Sequence, residues 1–268
     1  MSQARTSPAI KVGLVQINNS FSGQNYFPYS AGVLEAHARA HLKNPGNYEF
    51  LIPIFTRINP HEAVKLIGEA DVIGFSAYVW NINLSLKIAA LIKSRKPEAV
   101  IVFGGPHVPD HAQDFLRRHP FIDIVCHGEG EPIFTAILEQ LPRREWENIP
   151  SVSYFKDGIF ITHPRAERLK NLEEIPSPYL TGVFKPLMRA NPEQVWIAMW
   201  ETNRGCPFSC TFCDWGSAVA AKVNRWELDR LYREVDWFVK QGIEFVFCAD
   251  ANFGILPRDV DLDRKSVV

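Results

Sequence analysis

Three cysteines crowd one short segment. In "GCPFSCTFCDWG", residues 205–216, Cys206, Cys210 and Cys213 follow a C-x3-C-x2-C spacing. A structural zinc site presents two separate ligand pairs to complete its tetrahedron, and no second pair follows in this chain. The chain holds five cysteines, an odd number that suits a disulfide framework poorly. Three thiolates on one loop can instead hold three irons of a [4Fe–4S] cluster and leave the fourth iron open to bind a substrate. Zinc, or a chance grouping of thiols, is the competing reading. Cys126 in "IDIVC" and Cys248 in "FVFCAD" sit in apolar, strand-like runs and are expected to pack in cores.

Such a loop needs a strand to deliver it and a helix to take the chain away. "QVWIAMWETNRG", from about residue 194, reads as the strand, and "WELDRLYREVDWFVKQG" as the helix, with Leu228, Leu231, Tyr232, Val235 and Phe238 on one face. "IEFVFCADANFG" supplies a second strand, so residues 194–268 are expected to begin a β/α barrel that stops after two strands. Two strands alone leave an unpaired edge and an exposed apolar face.

Residues 1–141 alternate apolar runs with helical stretches. "IKVGLVQI" (10–17), "YEFLIPIF" (48–55), "DVIGFSAY" (71–78), "AVIVFGG" (99–105) and "IDIVCHG" (122–128) are apolar nearly throughout, the mark of parallel strands buried on both faces. The expected fold is α/β, an open doubly wound parallel sheet of the flavodoxin or Rossmann kind. Ligands of such sheets bind where strands end, which directs attention to "SAYVWN", "GGPHV" and "HGEGEP". Gly104 and Gly105 would let backbone approach a bulky ligand, and Glu129 and Gly130 open a helix, although such glycines also serve plain tight turns. Residues 142–193 are expected to form a linker with a small hairpin turning at Asp157–Gly158.

The chain has 268 residues, 46% of them hydrophobic, and a net charge of −1. That balance lacks the basic footprint of a nucleic-acid binder. "MSQARTSPAI" has no apolar leader core and no run approaches the ~18 apolar residues of a membrane span. A cytoplasmic protein without nucleic-acid or membrane partners is therefore expected.

"RGCPFSCTFC" resembles the cluster loop of the radical S-adenosylmethionine (SAM) enzymes, with the aromatic Phe212 just before the last cysteine. The resemblance implies that Cys206, Cys210 and Cys213 ligate a [4Fe–4S] cluster, that SAM binds the open iron, and that Phe212 neighbours its adenine. "ADANFG" also resembles the family, which implies Asp250 and Asn252 near SAM. With a doubly wound domain ahead of it, the whole chain is similar to the cobalamin-binding radical SAM subfamily. Ser76 corresponds to the serine of that fold's S-x-L element, Tyr78 replaces its leucine, and Gly104–Gly105 match its GG element. The D-x-H-x-x-G element that supplies a cobalt-ligating histidine is absent from "INNSFSGQNYFPYS", which implies cobalamin without a histidine ligand. Tyr78, Val79 and Trp80 are then expected to form an apolar floor beneath the corrin. His107, Glu129 and Gly130 are further candidate contacts; a lone loop histidine such as His107 is otherwise solvated. Tyr29 and Tyr179 are expected to be core residues.

By resemblance the reaction is methylation of an unactivated carbon or phosphorus in a small molecule or peptide, with flavodoxin or ferredoxin as electron donor. Cyclisation or rearrangement by the same cofactors, and a non-catalytic sensor, are the alternatives.

Overall fold

The computed structural model describes residues 9–213 and 222–266, which divide into two compact units. The first comprises the residues up to Asn18 together with His37–Ala166, and the second Asn19–Ala36 together with the residues from Glu167 onward. The chain runs β1 (Ile10–Val15), β2 (Asn25–Tyr26), α1 (Tyr29–His41), β3 (Tyr48–Phe50), α2 (Pro60–Ile67), β4 (Val72–Ser76), α3 (Ile82–Arg95), β5 (Val100–Gly104), α4 (Gln113–Arg118), β6 (Ile124–Cys126) and α5 (Gly130–Gln140). It continues through β7 (Val152–Lys156), β8 (Ile159–Thr162), α6 (Lys185–Ala190), β9 (Trp196–Trp200), β10 (Asn203–Arg204), β11 (Asn224–Arg225), α7 (Leu228–Lys240), β12 (Phe245–Cys248) and α8 (Asp259–Ser266). Among the described residues no helix is long and apolar enough to cross a membrane.

In the first unit the sheet order is β3-β1-β4-β5-β6-β7-β8. The five expected strands are all present and parallel, and their order by appearance, 2-1-3-4-5, is the flavodoxin-like doubly wound arrangement. Alternation along each strand serves two faces. Ile73, Phe75, Ile101 and Phe103 join a buried cluster with Ala63, Val64 and Ile67 of α2, Ile88 and Ile92 of α3 and Phe115 of α4. Gly74 lies on the opposite face, where an added Cβ would meet Leu14 and Phe134 of α5 at 3.1 Å. Asn59 caps α2 by accepting from His61 N at 2.9 Å, with Pro60 in the first turn, where a missing N–H costs nothing.

The hairpin expected in a linker is instead part of this sheet. β7 pairs antiparallel with β6, and β8 with β7. Its turn is the one foreseen, with Asp157 at φ 51° and Gly158 at φ 78°, the geometry of a two-residue type I′ connection. The open edge of β6 explains the difference, because its backbone groups need a partner that a free hairpin can supply.

The second unit holds a parallel sheet ordered β12-β9-β2 and an antiparallel ribbon of β10 and β11. β2 was not foreseen: Asn25 and Tyr26 pair with Trp196 and Ile197, covering one edge of β9. Phe27, fully buried, stacks on Trp196 at 4.6 Å between ring centroids and meets Tyr179, Phe184 and Trp237. Tyr179 is buried as expected and donates its hydroxyl to Met199 O, while Tyr29 packs 6.1 Å from it. α7 buries Leu231, Val235 and Phe238, and also Arg230 and Glu234, which pair at 3.2 Å. Phe245, Val246 and Phe247 of β12 are exposed, as expected of a strand that among the described residues pairs with β9 alone, whereas Cys248, expected in a core, is only half-buried.

Candidate cofactor sites

At the carboxyl end of the first unit's sheet, the order reverses between β1 and β4, and the loop after β4 stands at that switch point. Ser76 ends β4 half-buried, and Tyr78 and Trp80 stack with ring centroids 4.5 Å apart and 11° between planes. Val79 is 73% exposed and Trp80 43%, an apolar tip presented to solvent. What holds this tip is a residue that sequence reasoning missed. Asn81 is fully buried; its side chain accepts from Tyr78 N at 2.8 Å and donates to Ser76 O at 2.9 Å and Ile17 O at 3.1 Å. One amide thereby ties the loop to the ends of two strands. Nothing in the sequence separates it from an ordinary loop asparagine.

The loop after β5 is fitted to the same place. Gly105 has φ 102°, and a Cβ there would lie 2.7 Å from Ala77 O, so the glycine is required by the neighbouring loop's backbone. Among the described residues a Cβ on Gly104 would meet only Cys126 within 4 Å, at 3.7 Å. Ala77 N donates to Gly104 O at 2.7 Å, and His107 N to Ala77 O at 3.1 Å. The His107 side chain is exposed. Glu129 precedes α5, which Gly130 opens, as expected for "GEGEP". Asn18, just past β1, is buried, and its Nδ2 has no partner among the described residues. An open glycine, a projecting apolar tip and a buried amide donor at the switch point suit a large, flat ligand carrying polar side groups.

The cysteine loop belongs to the second unit. Gly205 opens it at φ 119°, where a Cβ would stand 2.4 Å from Lys222 O, and β10 and β11 pinch its base through the pairs Asn203–Arg225 and Arg204–Asn224. Cys206 is buried; Cys210 and Cys213 are exposed and share a turn in which Cys213 N donates to Cys210 O at 3.1 Å. Phe212 is 91% exposed. Among the described residues no three His, Cys, Asp or Glu side chains converge as a bound metal ion would require. Two thiols at the surface and one at the root nonetheless provide, on one short segment, the soft donors of an iron–sulfur site. Burial pushes the thiols of Cys126 and Cys248, which are not on this segment, up to about 12.

The end of β12 grips the root of this loop. Asp250 accepts from Thr202 N at 2.7 Å, Asn203 N at 3.2 Å, Asn203 Nδ2 at 2.8 Å and the Thr202 hydroxyl. Burial pushes its carboxyl above the ordinary carboxylate range, against the downward pull of those donors. Asn252 Nδ2 donates to Cys206 Sγ at 3.1 Å. Arg204, two residues before Cys206, makes a two-pronged pair with Glu201, at 2.9 and 3.0 Å.

Residues 54–138 match the B12 binding domain family. The chain is 39% identical over 249 residues to the cobalamin-dependent radical SAM methyltransferase TokK of Streptomyces tokunonensis, covering 90% of this chain and 37% of that one. It belongs to the cobalamin-binding radical SAM enzymes. A second relative, the 2-(S-pantetheinyl)-carbapenam-3-carboxylate methyltransferase of Streptantibioticus cattleyicolor, is 39% identical over 263 residues, 97% of this chain and 39% of the relative. The cobalamin radical SAM fold is also seen in the likeness to a solved structure of the cobalamin-dependent SAM radical enzyme OxsB with aqua-cobalamin and SAM bound. Its TM-score is 0.72 at 20% identity, covering 96% of this chain and 36% of that one. The chain thus spans under two fifths of the length of these three members of the family.

Proposed function

We propose that the protein binds cobalamin on its first unit and a [4Fe–4S] cluster with SAM on its second, and serves SAM-dependent methylation of an unactivated carbon or phosphorus in a small molecule. The observation that carries this reading is the three-thiol loop, pinched at its base by β10 and β11, in a chain whose other unit presents an open glycine and an apolar tip at a switch point. When bound, the cluster and SAM supply a hydrogen-abstracting 5′-deoxyadenosyl radical and cobalamin supplies the methyl group.

The residues do the holding. Cys206, Cys210 and Cys213 provide the three thiolates, with Gly205 letting the loop leave β10 without a clash. Phe212 has its ring free to cover an adenine. Both Asp250 oxygens already accept hydrogen bonds from Thr202 and Asn203, so its support for SAM is through the loop it fixes. Tyr78, Val79 and Trp80 form the apolar floor beneath a corrin, and Ser76, Gly104, Gly105, His107, Glu129 and Gly130 surround it as backbone and rim contacts. The apolar side chains of Tyr78, Val79 and Trp80 would exclude water from the bound group. The Streptantibioticus relative's name makes a pantetheinyl carbapenam carboxylate the first substrate to try, with flavodoxin or ferredoxin as electron donor.

The test is anaerobic reconstitution of the chain with iron, sulfide and hydroxocobalamin. Expected are four irons and one cobalamin per chain, and 5′-deoxyadenosine from SAM on adding dithionite. Zinc in place of iron overturns the reading, as does a Cys206→Ser, Cys210→Ser, Cys213→Ser triple variant that keeps its iron. Bound cofactors without any 5′-deoxyadenosine would point to a sensor.

A further inference from the structure

Asn252 is placed by the end of β12 so that its amide N–H points at one particular sulfur, that of Cys206, at 3.1 Å. Cys206 is the buried member of the trio, whereas Cys210 and Cys213 face solvent. Asn252 is held two residues from Asp250, whose carboxylate accepts four hydrogen bonds from Thr202 and Asn203 at the loop root, three of them between 2.7 and 3.2 Å. The donor and the thiol therefore lie on the segments that follow two paired strands, β12 and β9 being in register from Phe245–Ile197 to Cys248–Trp200. A hydrogen bond to a cluster sulfur stabilises the more negative, reduced form, most effectively where water cannot compete.

Resting on the iron–sulfur reading above, we infer that Asn252 is a positioning residue that sets the cluster's reduction potential through a single N–H···S bond to Cys206. Asp250 keeps that bond in register by fixing Thr202 and Asn203. The bond raises the potential, easing entry of the one electron that cleavage of SAM requires, and the exposed sulfurs of Cys210 and Cys213 have water to solvate them in its place.

The test compares the reconstituted chain with Asn252→Leu and the near-isosteric Asn252→Asp, each titrated with dithionite while the reduced cluster is followed by electron paramagnetic resonance. One electron passes from dithionite to the cluster. Removing the N–H donor is expected to raise the oxidised-to-reduced ratio about tenfold at fixed solution potential, a fall of ~59 mV for a one-electron couple. Asn252→Asp is expected to fall at least as far, with iron content unchanged. A wild-type chain that assembles no cluster overturns the iron–sulfur reading and this inference together. A wild-type cluster whose potential is matched by both variants overturns the inference alone. Loss of the cluster from both variants would assign Asn252 to loop folding and also overturn it.

Discussion

Tyr78 and Trp80 stack on each other at the end of β4, where Trp80 is 43% exposed. With the proposed cobalamin in place, no protein imidazole is expected to ligate cobalt, so the cobalt(II) electron paramagnetic resonance spectra of the chain and of His107→Ala should be the same. A nitrogen splitting that disappears in His107→Ala would refute that. Gly205 carries a second prediction. Any side chain there must meet the Lys222 carbonyl at a backbone angle that L-residues rarely adopt, so Gly205→Ala is expected to destabilise the second unit by about 2 kcal/mol or more. Urea unfolding followed by tryptophan fluorescence measures it, and an unchanged midpoint would contradict the geometry. At this scale the trio of cysteines was legible because spacing within one loop is local. Asn81 was not, since its partners Ile17 and Ser76 come from two strands remote from one another in sequence.

The loop after β4 behaves as one piece because Asn81 ties it down. Asn81→Ala would strand Tyr78 N and two carbonyls in a buried place, a loss of about 1–3 kcal/mol. It is expected to weaken cobalamin binding about tenfold, while a surface change such as Lys87→Ala leaves both stability and binding alone; spectral titration decides. Helix α1 meets α5 through a different polar contact. His37 is buried, with Nδ1 2.8 Å from Thr135 Oγ1 and its ring stacked 4.1 Å from His41. Burial, then the neighbouring His41, pushes its pKa down from 6.5 to about 4, with Glu131 pulling the other way. A base whose folded pKa is depressed is neutral in both states above pH 6.5. As pH falls from there towards 4 the unfolded chain takes the proton first, and stability is lost. That loss, on the order of 3 kcal/mol at full extent, is expected to be largely absent in His37→Gln, as thermal melts between pH 7 and 4 will show. The helical and strand periods gave these elements their types, and the parallel strands their order of appearance. Which helix faces meet, and that β6 takes the β7–β8 hairpin as its neighbour, depend on pairings no local pattern encodes.

Two units built from interleaved segments should fail separately. The second unit takes β2 and Phe27 from a stretch that sequence order puts directly after the first unit's opening strand. Phe27→Ala removes a fully buried ring from a cluster with Tyr179, Phe184, Trp196 and Trp237, a cost of about 3–5 kcal/mol. Limited proteolysis of that variant is expected to cleave within residues 167–266 while the sheet of the first unit persists; simultaneous loss of both would mean that the units unfold as one. The exposed Phe245, Val246 and Phe247 of β12 make the same region the first to be cut in the wild-type chain.

The doubly wound class and its five parallel strands were within reach of the residues alone, because apolar periodicity acts over a few neighbouring positions; the same local spacing makes the cysteine trio a candidate ligand set. Tertiary structure decided what depends on distant segments meeting. It made Asn25 and Tyr26 an edge strand for β9, turned a supposed linker hairpin into two strands of the first sheet, and brought Asn252 to the sulfur of Cys206. A backbone edge accepts any strand that can supply its missing hydrogen bonds, so the partner is settled by where the folded chain brings its segments together.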